Sequence, residues 1–322
     1  MKRALILGIG GQDGYYLTRL LRDKGYDVWG VLLPQDLTQT TLESLHDDVV
    51  LMQGDISDEV FMARVLEEVR PAEIYNLAGI SFIPLSWEQP GLVGRVNGAA
   101  PGQILELIRT NLPTARFFQA GSSEMFGHDP FGSPQNEKTP FRPDNPYASA
   151  KVFAAHLVRN YREHFGLFAC TGILYNHESP RRDPRFVTRK ITQAAASISR
   201  GRCKELVLGN IHARRDWSYA GDTVRAMWLM LQAERPADYV IGSGKLKSIT
   251  DVLEIAFEAV GLDWRRHVRS DQSIYRPLET RPLLADPSKA RRELAWEREV
   301  SFEELIRMMV EADLERDALE EE

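Results

Sequence analysis

The sequence predicts an α/β fold, a Rossmann-like doubly wound parallel sheet with a smaller C-terminal substrate-binding domain. Three observations carry this expectation. A strand, a glycine turn, a helix and a second strand fill the first 33 residues. Apolar runs of strand length then alternate with helical patterns as far as Leu174. Beyond Leu174 the chain turns irregular, rich in charge and proline. Strands that alternate regularly with helices make parallel sheets, because a parallel crossover needs a helix to carry the chain back.

The first strand is Ala4-Leu5-Ile6-Leu7, followed by Gly8-Ile9-Gly10-Gly11-Gln12-Asp13-Gly14. A helix with apolar positions at Tyr16, Leu17, Leu20 and Leu21 runs to Lys24-Gly25, and residues 27–33 form the second strand. Gly8, Gly11 and Gly14 stand three apart. They permit a tight turn, close approach of backbone to a pyrophosphate, and close helix packing, with the helix N-terminus facing the anion. Such a unit, in strand-turn-helix order, is a dinucleotide-binding fingerprint. Val49–Met52 is the next strand and ends in Gln53-Gly54-Asp55-Ile56, placed to approach an adenine ring. A helix to Val69, a strand over 73–79, a helix over 98–110 and a strand over 115–120 follow. The helix that begins near Pro146 runs to about 164, and 167–174 is a further buried strand.

The chemistry is expected between Ala120 and Lys151. Tyr147 and Lys151 are four apart, so on a helix they share one face. Asn145 or Asp144 suits a cap and Pro146 a first helical position. A lysine ammonium beside a phenol favours the phenolate, which predicts a tyrosine usable as a base near neutral pH. Ser122 and Glu124 follow a buried strand, and ligands gather at the ends of such strands. Tyr-x-x-x-Lys alone is also common on solvated helices, so its weight depends on the rest of the chain.

Composition narrows the classes. With 322 residues, 43% of them hydrophobic, the chain can bury one or two ordinary cores. A net charge of -6 argues against general nucleic-acid binding. No apolar run reaches the length of a membrane span, and glycines with Gln12-Asp13 interrupt the N-terminal apolar run too early for a signal peptide. Cys170 and Cys203 form no metal or redox spacing, so no metal is expected. The expectation is a soluble cytoplasmic protein.

The second half contains Asn176-His177-Glu178-Ser179-Pro180-Arg181-Arg182, a helix to Arg200, Leu206–Asn210, and Arg214-Arg215-Asp216-Trp217. Residues 218–233, 249–261 and 302–319 read as helices. The predicted division is 1–174 with about 211–242 for the dinucleotide, and 175–210 with 243–322 for the substrate. Arg181, Arg182, Arg185, Arg189 and Lys190 form a dense positive patch suited to clamping a diphosphate, since arginine forks match phosphate oxygens. Trp29, Trp217 and Trp228 read most simply as packing residues.

With these residues in hand, the chain resembles the extended short-chain dehydrogenase/reductase superfamily and, within it, the GDP-mannose 4,6-dehydratase family. The resemblance rests on GQDG (11–14), EIYNLA (73–78), SSE (122–124), YASAK (147–151), GILYNHESPRR (172–182), FVTRKIT (186–192), LGN (208–210), RDW (215–217) and IYRPLETRPLLADPSKA (274–290). It implies a hydro-lyase with a tightly bound nicotinamide dinucleotide and catalytic residues Ser122, Glu124, Tyr147 and Lys151. It assigns cofactor contacts to Gly8, Gly11, Gln12, Asp13, Gly14, Asp55, Ile56, Leu77, Ala78, Tyr147, Lys151, His177 and Arg182. GDP-sugar contacts fall on Ser81, Asn176, Val187, Lys190, Gly209, Arg215 and Arg276. In the implied reaction Tyr147 takes the O4 proton as C4 is oxidised, Lys151 supports the phenolate, and Ser122 hydrogen-bonds O4. Glu124 then removes the C5 proton and protonates the leaving C6 hydroxyl before hydride returns to C6. Ser123 stands where dehydratases of the dTDP type carry an Asp acid, which matches a single-glutamate mechanism.

The chain also departs from the family pattern. The resemblance implies NADP, yet family members that prefer it carry Arg-Arg-Ser after the second strand. Here Leu32-Leu33-Pro34-Gln35 follows, with Asp36 near enough to reach a ribose hydroxyl, so NAD stays open. The segment 34–48 is shorter than the family loop that joins tetramer contacts, which leaves homodimer and homotetramer both open. Two other readings remain at this level: a GDP-4-keto-6-deoxymannose reductase or another nucleotide-sugar enzyme, for instance one acting on a GDP-heptose, and a non-catalytic dinucleotide sensor. The intact Ser122, Glu124, Tyr147 and Lys151 count against the sensor.

Overall fold

The computed structural model describes residues 1–38, 41, 45, 48–127, 134–274 and 283–319. Seven parallel strands form its main sheet: β1 (Arg3–Leu7), β2 (Asp27–Leu32), β3 (Val50–Gln53), β4 (Glu73–Asn76), β5 (Arg116–Ala120), β6 (Ala169–Leu174) and β10 (Tyr239–Ile241). Their order is β10-β6-β5-β4-β1-β2-β3. From β1 the chain builds outward to β2 and β3, then returns to lay β4, β5 and β6 on the other side. The reversal falls between β1 and β4, where an open α/β sheet leaves a crevice for ligands.

Side-chain alternation along β1 builds two cores from one strand. Ala4 and Ile6 join a cluster with Leu17, Leu21, Val224 and Met227, under the helices Gln12–Asp23 and Ala220–Gln232. Leu5 and Leu7 face Phe61, Val65, Ile104, Leu105 and Val158, under helices Glu59–Val69, Ala100–Asn111 and Pro146–Phe165. Because both faces are covered, β6 is buried along all six residues and reads as a continuous apolar run.

The later segments are smaller elements. β7 (Asn176–Glu178), β9 (Arg214–Tyr219) and β11 (Leu246–Ser248) form a three-stranded sheet, with β7 parallel and β11 antiparallel to the central β9. β8 (Leu206–Leu208) pairs in parallel with β12 (Val268–Ser270). Helices Val187–Ser199, Ile249–Glu258 and Phe302–Leu319 close a third core around Ile191, Trp217, Phe257 and Ile306. Only Tyr175 separates β6 from β7, so this sheet starts where the main sheet ends. Asp216 in β9 stitches the elements together. It accepts from Ser243 N and Oγ, Gly244 N and Ala285 N at 2.6–3.1 Å.

Among the described residues no helix is long and apolar enough to cross a membrane, and no three His, Cys, Asp or Glu side chains group as a metal site. Trp217 packs on Phe302, and Trp228 donates to the Tyr26 hydroxyl at 3.2 Å, as expected of packing residues.

Candidate active site

The site is built at the C-terminal ends of β1, β4, β5 and β6. β5 ends in Gly121-Ser122, and the Ser122 hydroxyl caps the turn Ser123–Phe126 by accepting from Glu124 N at 3.2 Å. The turn swings Glu124 back toward the helix Pro146–Phe165. Asn145 caps that helix through Oδ1, which accepts from Ala148 N at 2.8 Å, and its Nδ2 donates to Glu124 Oε2 at 3.4 Å. One side chain thus starts the helix and holds the carboxylate beside it.

Tyr147 and Lys151 lie one helical turn apart, with Lys151 Nζ 5.9 Å from the Tyr147 ring centre. The Lys151 ammonium donates to Ala120 O at 2.8 Å, an acceptor it shares with Gln119 Nε2 at 3.1 Å. Burial draws the Lys151 ammonium down to about 8, against the charge of Asp13, which holds it up. Burial also dominates at Tyr147 and pushes the phenol up to about 12. The Ser122 hydrogen bond and the charge of Arg182 act downward, while Glu124 and Asp13 act upward. The expected phenol near neutrality is therefore not delivered by this chain's own groups. A buried tyrosine with carboxylates nearby resists ionisation more than the Ser122 hydrogen bond and Arg182 relieve it.

Gln12, Asp13 and His177 join the glycine turn to β7. His177 Nε2 lies 2.8 Å from Asp13 Oδ2 and Nδ1 lies 2.7 Å from Tyr175 O. Both ring nitrogens face acceptors, an arrangement that favours the doubly protonated imidazolium. Burial opposes that charge, but the charge and hydrogen bond of Asp13 prevail and His177 is raised. Asp13 is correspondingly lowered: burial acts upward and is outweighed by His177, Gln12 and Arg182. Gln12 Nε2 donates to His177 O at 3.0 Å, and Ser179 Oγ donates to Gln12 Oε1 at 2.7 Å.

These groups surround three cavities. One of about 270 Å³ is lined by Gly8, Gly11, Gln12, Asp13, Gly14, Leu77, Ser122, Tyr147, Lys151 and His177. A second of about 270 Å³ is lined by Val187, Thr188, Lys190, Gly209 and Arg215. Ser81, Ile83, Glu124, Asn176, Arg182 and Phe186 line both. A third, of about 710 Å³, runs along Gly8, Gly11, Leu32, Asp36, Asp55, Ile56, Leu77 and Ala78. The residues expected at cofactor and substrate thus converge, with Arg276 outside the described residues.

The glycine turn fits a dinucleotide. A Cβ on Gly14 would lie 2.2 Å from Ile9 O, and Gly8, at φ +82°, would place one 2.8 Å from the Ala78 backbone. The helix Gln12–Asp23 begins at Gly11 with no side chain capping its N-terminal amides. Uncapped amides at a helix start, approached closely through glycine, are an anion site.

The basic patch is smaller than its sequence spacing suggests. Arg189 is buried in an ion pair with Asp313 of the last helix, so it anchors that helix and lines none of these three cavities. Arg181 lies over the Tyr15 ring, at 4.1 Å. Arg182, Arg185, Lys190 and Arg215 do line the second cavity. Arg182 packs 3.6 Å over Phe186 and pairs with buried Glu178 at 3.1 Å.

Two positioning residues escape sequence reasoning. Asn145 was legible only as a cap. Asn97, buried in a π-helical turn over Gly94–Ala99, accepts from Ile80 N and donates to Ile80 O, both at 2.9 Å. It fixes the loop that holds Gly79 close to Lys151, where an added Cβ would lie 3.5 Å from Nζ. π-turns gather at functional sites, and the small residues Gly94, Gly98, Ala99 and Ala100 around a polar Asn97 were its only sequence signal.

A dinucleotide-type glycine turn opening onto Ser122, Tyr147 and Lys151 defines the extended short-chain dehydrogenase/reductase class. The solved UDP-glucose 4-epimerase of Thermotoga maritima superposes with a TM-score of 0.86 at 24% identity, over 98% of this chain and 99% of that one. The dTDP-glucose 4,6-dehydratase of Bacillus anthracis, solved in complex with NAD, gives 0.84 at 20%, over 99% and 98%. These likenesses establish the fold. The family described as GDP-mannose 4,6 dehydratase matches residues 5–309. GDP-mannose 4,6 dehydratase 1 of Arabidopsis thaliana is 45% identical over 98% of this chain and 90% of its own length. The human GDP-mannose 4,6 dehydratase is 39% identical over 97% and 91%. The chain belongs to the GDP-mannose 4,6-dehydratase family, hydro-lyases of the extended short-chain class.

Proposed function

We propose that this chain converts GDP-mannose to GDP-4-keto-6-deoxymannose by oxidation at C4, elimination of water across C5 and C6, and return of hydride to C6. The observation that carries the reading is the place of Glu124, which lines both the Ser122-Tyr147-Lys151 cavity and the cavity rimmed by Lys190 and Arg215. A hexose lying across that seam meets the oxidising groups and the carboxylate together.

A bound nicotinamide dinucleotide would supply the acceptor for the C4 hydride and its donor at C6. Gly8, Gly11, Gln12, Gly14, Asp55, Ile56, Leu77 and Ala78 would hold it, with Asp13, His177 and Arg182 at its inner end. Ser122 hydrogen-bonds both Tyr147 and the sugar O4, and Tyr147 accepts the O4 proton in its phenolate form, the minor form at neutral pH when only this chain's own groups act on it. Lys151 keeps a positive charge beside the phenol and a hydrogen bond for a ribose hydroxyl. Ketone formation at C4 acidifies C5–H, and Glu124 removes that proton as general base. The same carboxyl then donates it to the departing C6 hydroxyl, so one group serves both steps. Arg182, Lys190 and Arg215 face the diphosphate and its nucleoside, assisted by Ser81, Asn176, Val187, Gly209 and Arg276. We read 1–174 with about 211–242 as the dinucleotide unit, and 175–210 with 243–322 as the GDP-sugar unit. The enzyme is cytoplasmic in this reading and works as a homodimer or homotetramer.

Incubation with GDP-mannose and no added cofactor, followed by mass, tests the reading. Loss of one water without net cofactor consumption is expected. No reaction, together with oxidation of reduced cofactor by a 4-keto sugar, would instead make it a reductase. In Glu124→Gln, partial C4 oxidation without elimination is expected, and full elimination by that variant would sink the assigned role.

A further inference from the structure

The wall of the large cavity next to β2 differs in charge from the rest of the site. β2 ends at Leu32, and Leu33 leads into a short turn, Pro34–Asp36. Gly8 N donates to Val31 O at 2.8 Å, so the end of β2 lies against the glycine turn. The turn pins the Asp36 backbone: its N–H donates to Leu33 O at 2.9 Å, and its carbonyl accepts from Thr38 N and Thr41 Oγ1, both at 3.0 Å. The side chain is exposed and lines the cavity beside Leu32 and Leu33. Asp36 also follows Gly14 by 22 residues, close to the spacing at which an acidic side chain reaches the adenosine ribose.

We propose that the chain selects NAD over NADP, with the Asp36 carboxylate accepting hydrogen bonds from the adenosine ribose diol and repelling a 2′-phosphate. The proposal rests on the reading of the glycine turn as a dinucleotide site and decides which dinucleotide it takes. Residues 33–48 contain Asp36, Glu43, Asp47 and Asp48 and no lysine or arginine, and their one histidine, His46, carries no fixed charge at neutral pH. Asp55, just beyond the end of β3, lines the same cavity as Asp36. A phosphate monoester brings a charge of roughly -1.5 to -2 and needs cationic donors to replace its water. Leu32 and Leu33 offer none. Among the described lining residues the one basic side chain is Arg185. It is already paired with Asp183, Nε to Oδ1 at 3.0 Å and a terminal nitrogen to Oδ2 at 2.6 Å, and lies over Phe82 at 4.7 Å. Phe82 belongs to the loop after β4, and β4 is two strand spacings, about 10 Å, from β2.

The test needs no sugar nucleotide, so its outcome is separable from that of the dehydratase assay. Protein as purified is denatured and the released dinucleotide identified by mass: NAD is expected, and NADP overturns the proposal. Nucleotide-free protein is then titrated with each dinucleotide, followed by quenching of tryptophan fluorescence. NAD is expected to bind ~100-fold more tightly or better, the discrimination that juxtaposed like charges bring. Asp36→Asn, an exposed change that keeps the turn's backbone bonds, is expected to cut that ratio at least tenfold, with folding checked by circular dichroism. Leu33→Arg combined with Asp36→Ser is expected to raise NADP affinity. Equal or tighter binding of NADP by the wild type, or a ratio unmoved by Asp36→Asn, refutes the selection. Failure of both dinucleotides to bind overturns the dinucleotide reading and this proposal together.

Discussion

Replacing Lys151 by methionine is expected to stabilise the protein while abolishing turnover. The Lys151 ammonium is buried and drawn from its ordinary 10.5 to about 8, by burial first and against the favourable charge of Asp13. That depression corresponds to roughly 3 kcal/mol of penalty on the charged form. The folded pKa lies below the unfolded one, so the unfolded chain binds more protons between pH 8 and 10.5. Stability therefore rises with pH across that window, and below about pH 8 the full penalty is present. Methionine has similar bulk and removes the charge, at the loss of one charge-assisted hydrogen bond worth ~1.5–3 kcal/mol. Ala120 O keeps Gln119 Nε2 at 3.1 Å and is not orphaned. The net gain at pH 7 is at most about 1.5 kcal/mol, or about two degrees in Tm for a chain of this size. Thermal unfolding at pH 7 and pH 10 measures it, with bound nucleotide quantified in each sample because a ligand held by one alone shifts Tm by mass action. A wild type at least as stable as Lys151→Met at pH 7, or a variant advantage unchanged at pH 10, would refute the reasoning.

Three further outcomes follow from the same geometry. Ser122→Ala removes the hydrogen bond that acts downward on the buried Tyr147 phenol, so the rising limb of kcat/KM against pH is expected to move to higher pH; an unmoved limb counts against that bond. For His177→Gln, the wild type's stability advantage is expected to be full below pH 6.5 and to shrink as pH rises through the raised folded pKa, read by urea unfolding at pH 6 and pH 9. Asp13 acts oppositely, its share being present above pH 3.8 and lost as pH falls through its lowered value. Arg189→Met leaves Asp313 charged and buried and is expected to cost about 3–5 kcal/mol, largely restored in Arg189→Met with Asp313→Leu. An Arg189→Met protein as stable as the wild type would remove Arg189 from its structural role.

What the sequence made legible is what short-range geometry controls. Gly8, Gly11 and Gly14 work within one turn, and Tyr147 and Lys151 within one helical turn, so local spacing read in its strand-turn-helix frame pointed to them. The patch from Arg181 to Lys190 mixed two kinds of residue. Neighbours in sequence point to different faces of the helix Val187–Ser199, and only the docking of Phe302–Leu319 shows that Arg189 meets Asp313 while Lys190 lines a cavity. β7 and β9 were hidden because each strand draws its pairing from a distant segment. The state of the Tyr147 phenol was misjudged for a related reason. The lysine is visible four residues on, but the burial that raises the phenol comes from the whole fold.

The fold itself does not decide the reaction, since a UDP-glucose 4-epimerase shares it at a TM-score of 0.86. Ser122, Tyr147 and Lys151 line the glycine-turn cavity and not the one beside Lys190 and Arg215, whereas Glu124 lines both. In the proposed reaction this division separates two tasks. The first three residues suffice to exchange a hydride at C4, and nothing in their arrangement commits the ketone to lose water. Elimination requires a base at C5 that is also within reach of the C6 oxygen, on the side from which the nucleotide clamp delivers the sugar. Asn145 donates to the Glu124 carboxylate at that boundary, and the Ser122 hydroxyl fixes the Glu124 backbone beneath it. Loosening either contact should therefore change how the oxidised sugar is partitioned more than how fast it forms, so that the ratio of elimination to C4 oxidation is the quantity that reports on Glu124.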